Sequence, residues 1–208
     1  MKKHLIIIIA LSFFISSNAR FKNDEKSLNA EKANILVNDS TATKVFWKNL
    51  KALRGKAFEG QLVGAPANDD FAGKKLVMHV LFADDETILI PFNVGDNRSR
   101  TWILKYKNGR VELKHDHRHE DGSHDKVTMY GGTSTNSGTQ NMQVFPADQE
   151  TVDVIPAAFS NAWWITVDGN AYTYNLRRLG SDRLFTVFFD LTKEAEIPLP
   201  SWGWENFK

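Results

Sequence analysis

Four of the six histidines of the chain fall inside one short run, Leu113-Lys114-His115-Asp116-His117-Arg118-His119-Glu120-Asp121-Gly122-Ser123-His124-Asp125. Imidazoles at every second position suit two chemistries. They can hold a divalent metal, or they can bind an anion in a manner that depends on pH. On a strand, side chains alternate between faces. His115, His117 and His119 therefore share a face with Val111 and Leu113, while Lys114, Asp116 and Arg118 point the other way.

Hairpin chemistry extends this face to its neighbours. Asn108-Gly109 and Asp121-Gly122 are the dipeptides of two-residue type I′ turns, and turn length sets strand register. Counting back from Asn108-Gly109, Leu104 faces Leu113, Trp102 faces His115, Arg100 faces His117 and Arg98 faces His119. Counting forward from Asp121-Gly122, His119 faces His124, His117 faces Lys126, His115 faces Thr128 and Leu113 faces Tyr130. The predicted surface is apolar below, at Tyr106, Leu104, Trp102, Val111 and Leu113. It is cationic above, at Arg98, Arg100, His117, His119, His124 and Lys126. An apolar floor beneath a few polar groups is how small-ligand pockets are built, and arginines match carboxylate or phosphate. The predicted ligand-binding set is Arg98, Arg100, Trp102, His115, His117, His119, Lys126 and Tyr130.

Two other readings stand beside it. The same strands are compatible with a solvated hairpin carrying weak cross-strand ion pairs. A metal site is the third, with His115 and His117 joined by His124 or His79. Arg98, Arg100 and Lys126 would repel a divalent ion there. Glu120 follows His117 too closely for the cupin spacing, and no histidine follows His124. No phosphate-binding loop or nucleophile elbow occurs. No catalytic residue and no cofactor is assigned, and the chain reads as a binding protein rather than an enzyme.

The elements that position this surface read as follows. Val45, Phe46, Asn49, Leu50 and Leu53 recur at helical spacing, with Thr41 or Thr43 as cap and Gly55 as stop. From Lys56 onward the pattern is of short β-rich runs, at 57–63, 75–83, 87–94, 100–107, 110–119, 124–130, 163–167, 171–178 and 183–191. A third hairpin signal is Asp168-Gly169. Residues 131–138 read as a flexible loop, 143–161 as an edge strand with a helical turn, and the tail from Ile197 as packing on the outside. Trp163-Trp164 and Tyr172-Thr173-Tyr174 are expected to supply core on one face, and their partners on the other face could line a pocket. The predicted fold is all-β: an antiparallel up-and-down barrel of about 8–10 strands preceded by a short N-terminal helix, because closure removes exposed edges.

Upstream, Met1-Lys2-Lys3-His4 is a basic start. An apolar run from Leu5 to Ile15 follows, broken only by Ser12, and then Ser16-Ser17-Asn18-Ala19. This is the pattern of a secretory signal peptide cleaved after Ala19, and it is shorter than a membrane-spanning helix requires. The expected organisation is a signal peptide at 1–19, a loose leader at 20–41 and one β domain at 42–208. The protein is expected to be exported, to the periplasm or beyond the cell, with no stable membrane insertion after cleavage. Cysteine is absent, which excludes disulfides, thiolate chemistry and a lipid on a cysteine. Without Lys2 and Lys3 the balance is 24 basic to 25 acidic residues, which argues against nucleic acid as a partner.

Two resemblances follow from these residues. The short helix and Leu53-Arg54-Gly55-Lys56-Ala57-Phe58-Glu59-Gly60 at the first strand resemble the calycin group, the lipocalins and nitrobindin-like barrels. Nitrobindin-like members hold haem through a late histidine that this chain lacks, so no haem is implied. The stretch from Leu53 to about Leu191 is also similar to a family of secreted bacterial proteins without an assigned activity. The residues that carry this are Gly55-Lys56-Ala57-Phe58-Glu59-Gly60, Leu76-Val77-Met78-His79-Val80, Ile90-Pro91-Phe92, Asn97-Arg98-Ser99-Arg100-Thr101-Trp102 and Leu113-Lys114-His115-Asp116-His117-Arg118-His119-Glu120-Asp121-Gly122-Ser123. That resemblance implies export and no particular chemistry. The function expected is binding of a small, partly apolar anion. A metal-dependent hydrolase built on His115, His117 and His119, and a ligand-free structural or surface protein, are the alternatives.

Overall fold

The computed structural model describes Asp24 and residues 26–29, 41–66 and 68–207. The expected signal peptide lies outside the described residues. So does most of the expected leader, of which Asp24 and residues 26–29 are helical and exposed. Among the described residues, no helix is long and apolar enough to cross a membrane.

Helix α1 spans 41–51 and buries Phe46, Trp47 and Leu50 on one face. Thr43 is not a cap: it is fully buried within the helix, and its hydroxyl donates to the Ser137 carbonyl at 3.0 Å. The chain then turns through Gly55, whose φ of +81° lies in the left-handed region that glycine adopts without strain.

Eleven strands follow: β1 (Ala57–Gly64), β2 (Leu76–His79), β3 (Phe82–Ala83), β4 (Thr87–Val94), β5 (Asn97–Lys107), β6 (Arg110–His117), β7 (Tyr130–Thr133), β8 (Met142–Pro146), β9 (Asn161–Val167), β10 (Ala171–Arg178) and β11 (Leu184–Ala195). A helix α2 (Gln149–Val154) and a 3-10 turn (Pro156–Ala158) link β8 to β9. All pairings are antiparallel, in the order β7-β6-β5-β4-β2-β1-β11-β10-β9-β8, with β3 beside β4. Strand β1 pairs with both β2 and β11, so the first and last strands join and the sheet curls into a nearly closed barrel. Its seam lies mid-chain, between β7 and β8.

Three expectations are corrected. The run at 75–83 splits into β2 and β3, because the Val80 amide turns back to the Lys56 carbonyl at 2.9 Å and leaves β4. No strand forms at 124–130; β7 starts only at Tyr130 and takes up Gly131 and Gly132, which had read as loop. At the third hairpin the loop pair is Gly169-Asn170 rather than Asp168-Gly169. The Asp168 side chain accepts from the Asn170 and Ala171 amides and so holds the turn one residue later.

The seam is closed without a ladder. The Asp148 amide donates to the Gly131 carbonyl at 3.0 Å, and Thr151 Oγ1 both accepts from the Gly131 amide and donates to its carbonyl. A β-carbon on Gly132 would overlap the Pro146 carbonyl oxygen, so glycine alone permits this approach. Lys114 Nζ, almost fully buried, reaches Asp148 at 2.6 Å and Glu150 at 2.5 Å. Burial pulls its pKa down, but those two carboxylates outweigh it, and the ammonium is held above its ordinary value.

Inward-facing side chains fill the middle of the barrel. Ile90, Leu104, Leu113, Ile165, Tyr172, Val187 and Phe189 are all fully buried. At one end α1 caps this core. Trp47 sits 5.6 Å from the Tyr106 ring, and its indole N–H donates to the Asp84 carbonyl. The opposite end holds a cavity.

Candidate functional site

The β5–β6 hairpin sets the cavity wall. Asn108 and Gly109 have φ of +54° and +72°, the two left-handed positions that a type I′ turn requires. The register follows from it: Lys107 pairs with Arg110, Leu104 with Leu113, Trp102 with His115 and Arg100 with His117. These last four point inward, above the filled core.

The cavity measures about 510 Å³, within the range of small-molecule sites. Its floor is aromatic. Trp102 stacks between Phe92 at 4.6 Å and Tyr174 at 4.3 Å, with interplanar angles of 19° and 11°. Trp163 and the stacked pair His115–Tyr130, 4.5 Å apart, continue it. Phe71, on the β1–β2 loop, stands edge-on to Phe185 at 5.2 Å. Arg100, Arg178, Arg183, Asn161, His117, Asp69 and Asp70 supply the polar lining.

The two histidines are held neutral. His115 Nδ1 lies 2.9 Å from the Tyr130 carbonyl, which can only accept, so Nδ1 carries the proton. Nε2 then accepts from the Tyr174 hydroxyl at 2.6 Å. Burial lowers the His115 pKa to about 3. It lowers that of His117 to about 4, helped by the charge of Arg100. Burial also raises Tyr130 to about 12 and pushes Tyr174 well above the usual phenol range. Both phenols are therefore hydrogen-bonding groups and not anions.

The arginines differ. Arg100 donates to Asn97 Oδ1 at 2.8 Å and lies 4.9 Å over the Phe71 ring; burial lowers its pKa, yet it stays charged. Arg178 donates through Nε to Asn161 Oδ1 at 2.9 Å. Arg183 is exposed at the rim. Among the described residues none of the three forms an ion pair with a carboxylate. Arg100 and Arg178 are half-buried, and Asp70 acts on Arg100 only from beyond ion-pair distance, so the two guanidinium groups favour an anion brought from outside.

Of the residues singled out from sequence, the cavity gathers Arg100, Trp102, His115, His117 and Tyr130. Arg98, His119 and Lys126 lie elsewhere. Arg98 donates to the Pro200 carbonyl at 2.7 Å and is bound to the tail. His119 and Lys126 are exposed on the hairpin tip. The tip is a three-residue loop, Glu120–Gly122, with Gly122 left-handed at φ +82°; the His119 amide therefore meets the Ser123 carbonyl, and Arg118 rather than His119 faces His124. A further bulge at 125–129, with Met129 at φ +57°, shifts β7 again. As a result His115 pairs with Tyr130, and Leu113 with Gly132.

That shift also separates the imidazoles proposed as metal ligands. His124 lies on the outer face, with Nδ1 3.1 Å from Asp116 Oδ1, while both ring nitrogens of His115 are engaged inside. Among the described residues no three His, Cys, Asp or Glu side chains are grouped to hold a metal. Asp116, buried, also accepts from Arg118 Nε at 2.7 Å and from Trp204 Nε1 at 2.9 Å, which fastens the tail to the outside of β6.

Sequence reasoning missed Arg178, Asn161 and Arg183. The signal for Arg178 was present: period-two extension of Tyr172 and Tyr174 along β10 leads through Leu176 to Arg178. Asn161 follows likewise from Trp163 on β9. Arg183 sits in a turn, where no periodicity applies. No protein-family model, curated protein or solved structure matches this chain, and its likeness to calycin barrels rests on general barrel shape alone.

Proposed function

We propose that this chain is an exported binding protein for a small, partly apolar anion. The reading rests on one observation: three arginines without carboxylate partners border a cavity of about 510 Å³ whose floor is a stack of Phe92, Trp102 and Tyr174. The anionic head would lie between Arg100 and Arg178, with neutral His117 and Tyr130 as further hydrogen-bonding groups. The apolar body would lie against Trp102. Asp69 and Asp70 on the β1–β2 loop oppose anions at one side of the opening and orient the head towards Arg100.

Anilinonaphthalenesulfonate, an apolar body with one fixed negative charge, is a suitable probe. Titration should show saturable binding to one site. Each guanidinium removed should weaken it by about tenfold or more, as for the loss of a charge-assisted hydrogen bond. Unchanged affinity in an Arg100→Ala, Arg178→Ala double variant that retains its circular dichroism would refute the reading. Native mass spectrometry of protein from its own host would then identify the natural ligand.

A further inference from the structure

We propose that the open end of the barrel docks on a lipid bilayer and exchanges an anionic amphiphile with it, an inference that rests on the anion-binding reading above. Five of the eleven exposed large apolar side chains among the described residues are at this one end: Val63, Val154, Phe159, Leu179 and Leu184. Phe159 is 70% exposed and Leu179 63%. Four of them adjoin the cavity lining in the chain. Val154 precedes Ile155, Phe159 follows Ala158, Leu179 follows Arg178 and Leu184 lies between Arg183 and Phe185. Val63 precedes Gly64, which pairs with Thr186 on β11, two residues from Leu184. The Leu179 amide donates to the Ser160 carbonyl at 2.9 Å, which brings the Phe159 and Leu179 segments together across the rim.

Apolar side chains gathered on one surface mark an interaction site. Here they sit on separate segments around an opening: the end of β1, the end of α2, the turn before β9 and both sides of the β10–β11 turn. A fluid surface meets such a ring without a matching shape. Basic charge stands beside the ring at one place: the β10–β11 turn carries Arg177, Arg178 and Arg183 against Asp182. Asp153 and the loop residues Asp69 and Asp70 balance it over the mouth as a whole, so the attraction for an anionic surface is local to that turn and to Leu179 and Leu184 beside it. Basic residues beside Phe and Leu are the composition of interfacial binders. Docked this way, an amphiphile passes from the bilayer to the aromatic floor without exposing its apolar body to water, and its head ends at Arg100 and Arg178.

Flotation of the full mature chain with vesicles tests this. Vesicles of equal parts phosphatidylglycerol and phosphatidylcholine should bind it about fivefold better than phosphatidylcholine alone. A Phe159→Ser, Leu179→Ser variant should lose about tenfold in vesicle binding and keep its affinity for anilinonaphthalenesulfonate in solution. Arg100→Ala should do the reverse. Absence of vesicle binding by the unaltered chain overturns the proposal, as does a rim variant that binds vesicles undiminished. So does a rim variant whose only change is conversion of a dimer to a monomer by light scattering, which would assign the face to a second copy. Failure of probe binding with vesicle binding intact would instead count against the anion-binding reading alone.

Discussion

The hydroxyl of Tyr174 meets Nε2 of His115 at 2.6 Å across the interior of the barrel, although 59 residues separate them in the chain. Together with the Tyr130 carbonyl on Nδ1, it fixes the ring in one tautomer and one orientation. Tyr174 is in turn stacked on Trp102, which pairs with His115 across β5 and β6. The three side chains form a closed set on the cavity floor, and each restrains the others.

Tyr174→Phe keeps the stack and removes the donor. His115 Nε2 is then a fully buried acceptor with no partner, a defect that costs about 1–3 kcal/mol. The urea midpoint should fall accordingly. An unchanged midpoint would show that His115 can turn or hydrate at no cost, and the floor would not be preorganised.

Acid should destabilise the fold through His115 and His117. Their folded pKa values, about 3 and about 4, lie below the ordinary 6.5. The unfolded chain therefore takes up protons that the folded chain refuses. The stability due to their neutrality is fully present above pH 6.5 and is lost as pH falls from there through the two folded values. Chemical denaturation at steps between pH 7 and 4 should show a fall that is shallower in His117→Gln. Equal slopes would mean that His117 titrates normally.

The legible part of this site is the part governed by one two-residue turn. Asn108-Gly109 dictates the register that sets Arg100 beside His117 and Trp102 beside His115, and alternation then decides which faces in. Legibility ends at Glu120. A three-residue loop and a two-residue hairpin share the Asp-Gly signature there, and the left-handed Met129 carries no sequence signal, since bulky residues rarely adopt positive φ. His119 and Lys126 were misplaced by those two shifts, whereas Arg98, beyond the last β5–β6 pair at Arg100–His117, is taken up by the Pro200 carbonyl of the tail. The seam between β7 and β8 was illegible for another reason: Gly131 and Gly132 serve close backbone approach, and a glycine-rich stretch reads as loop. The barrel itself was legible, because hairpin signals and strand-length runs recur along the chain.

The seam offers its own asymmetry. Lys114 is buried, whereas Glu150 is mostly exposed and Asp148 partly so. Asp148→Ala leaves the ammonium under-compensated and also removes the cap of α2, whose Thr151 amide Asp148 accepts at 2.9 Å. We expect a cost of about 2–4 kcal/mol. Lys114→Met removes the buried charge, and the carboxylates can turn to water, so its cost should be clearly smaller. Thermal melts of the two variants should separate them in that order; the reverse order would mean that the cation itself holds the seam.

The far end of the tail is held by one buried carboxylate, beyond the bonds that Asn93, Arg98 and Arg100 make with Leu199, Pro200 and Ser201. Asp116 is 1% exposed and accepts from Arg118, Trp204 and Thr128, with His124 Nδ1 3.1 Å from its Oδ1. Arg118 lies 4.8 Å over the Trp204 ring, so the indole both stacks on the cation and donates to the anion. Trp204→Phe keeps an aromatic face for Arg118 and deletes the donor. The loss of a hydrogen bond to a charged, buried acceptor should cost about 1.5–3 kcal/mol. Because Asp116 is on the outer face of β6 and His115 and His117 are on the inner one, anion binding in the cavity should be unaffected. Hydrogen exchange should show faster opening of residues 198–204 in the variant, with β5 and β6 protected as before. Loss of protection along β6 as well would mean that the tail supports the hairpin that carries the site, and the two faces of that strand would have to be treated as one unit.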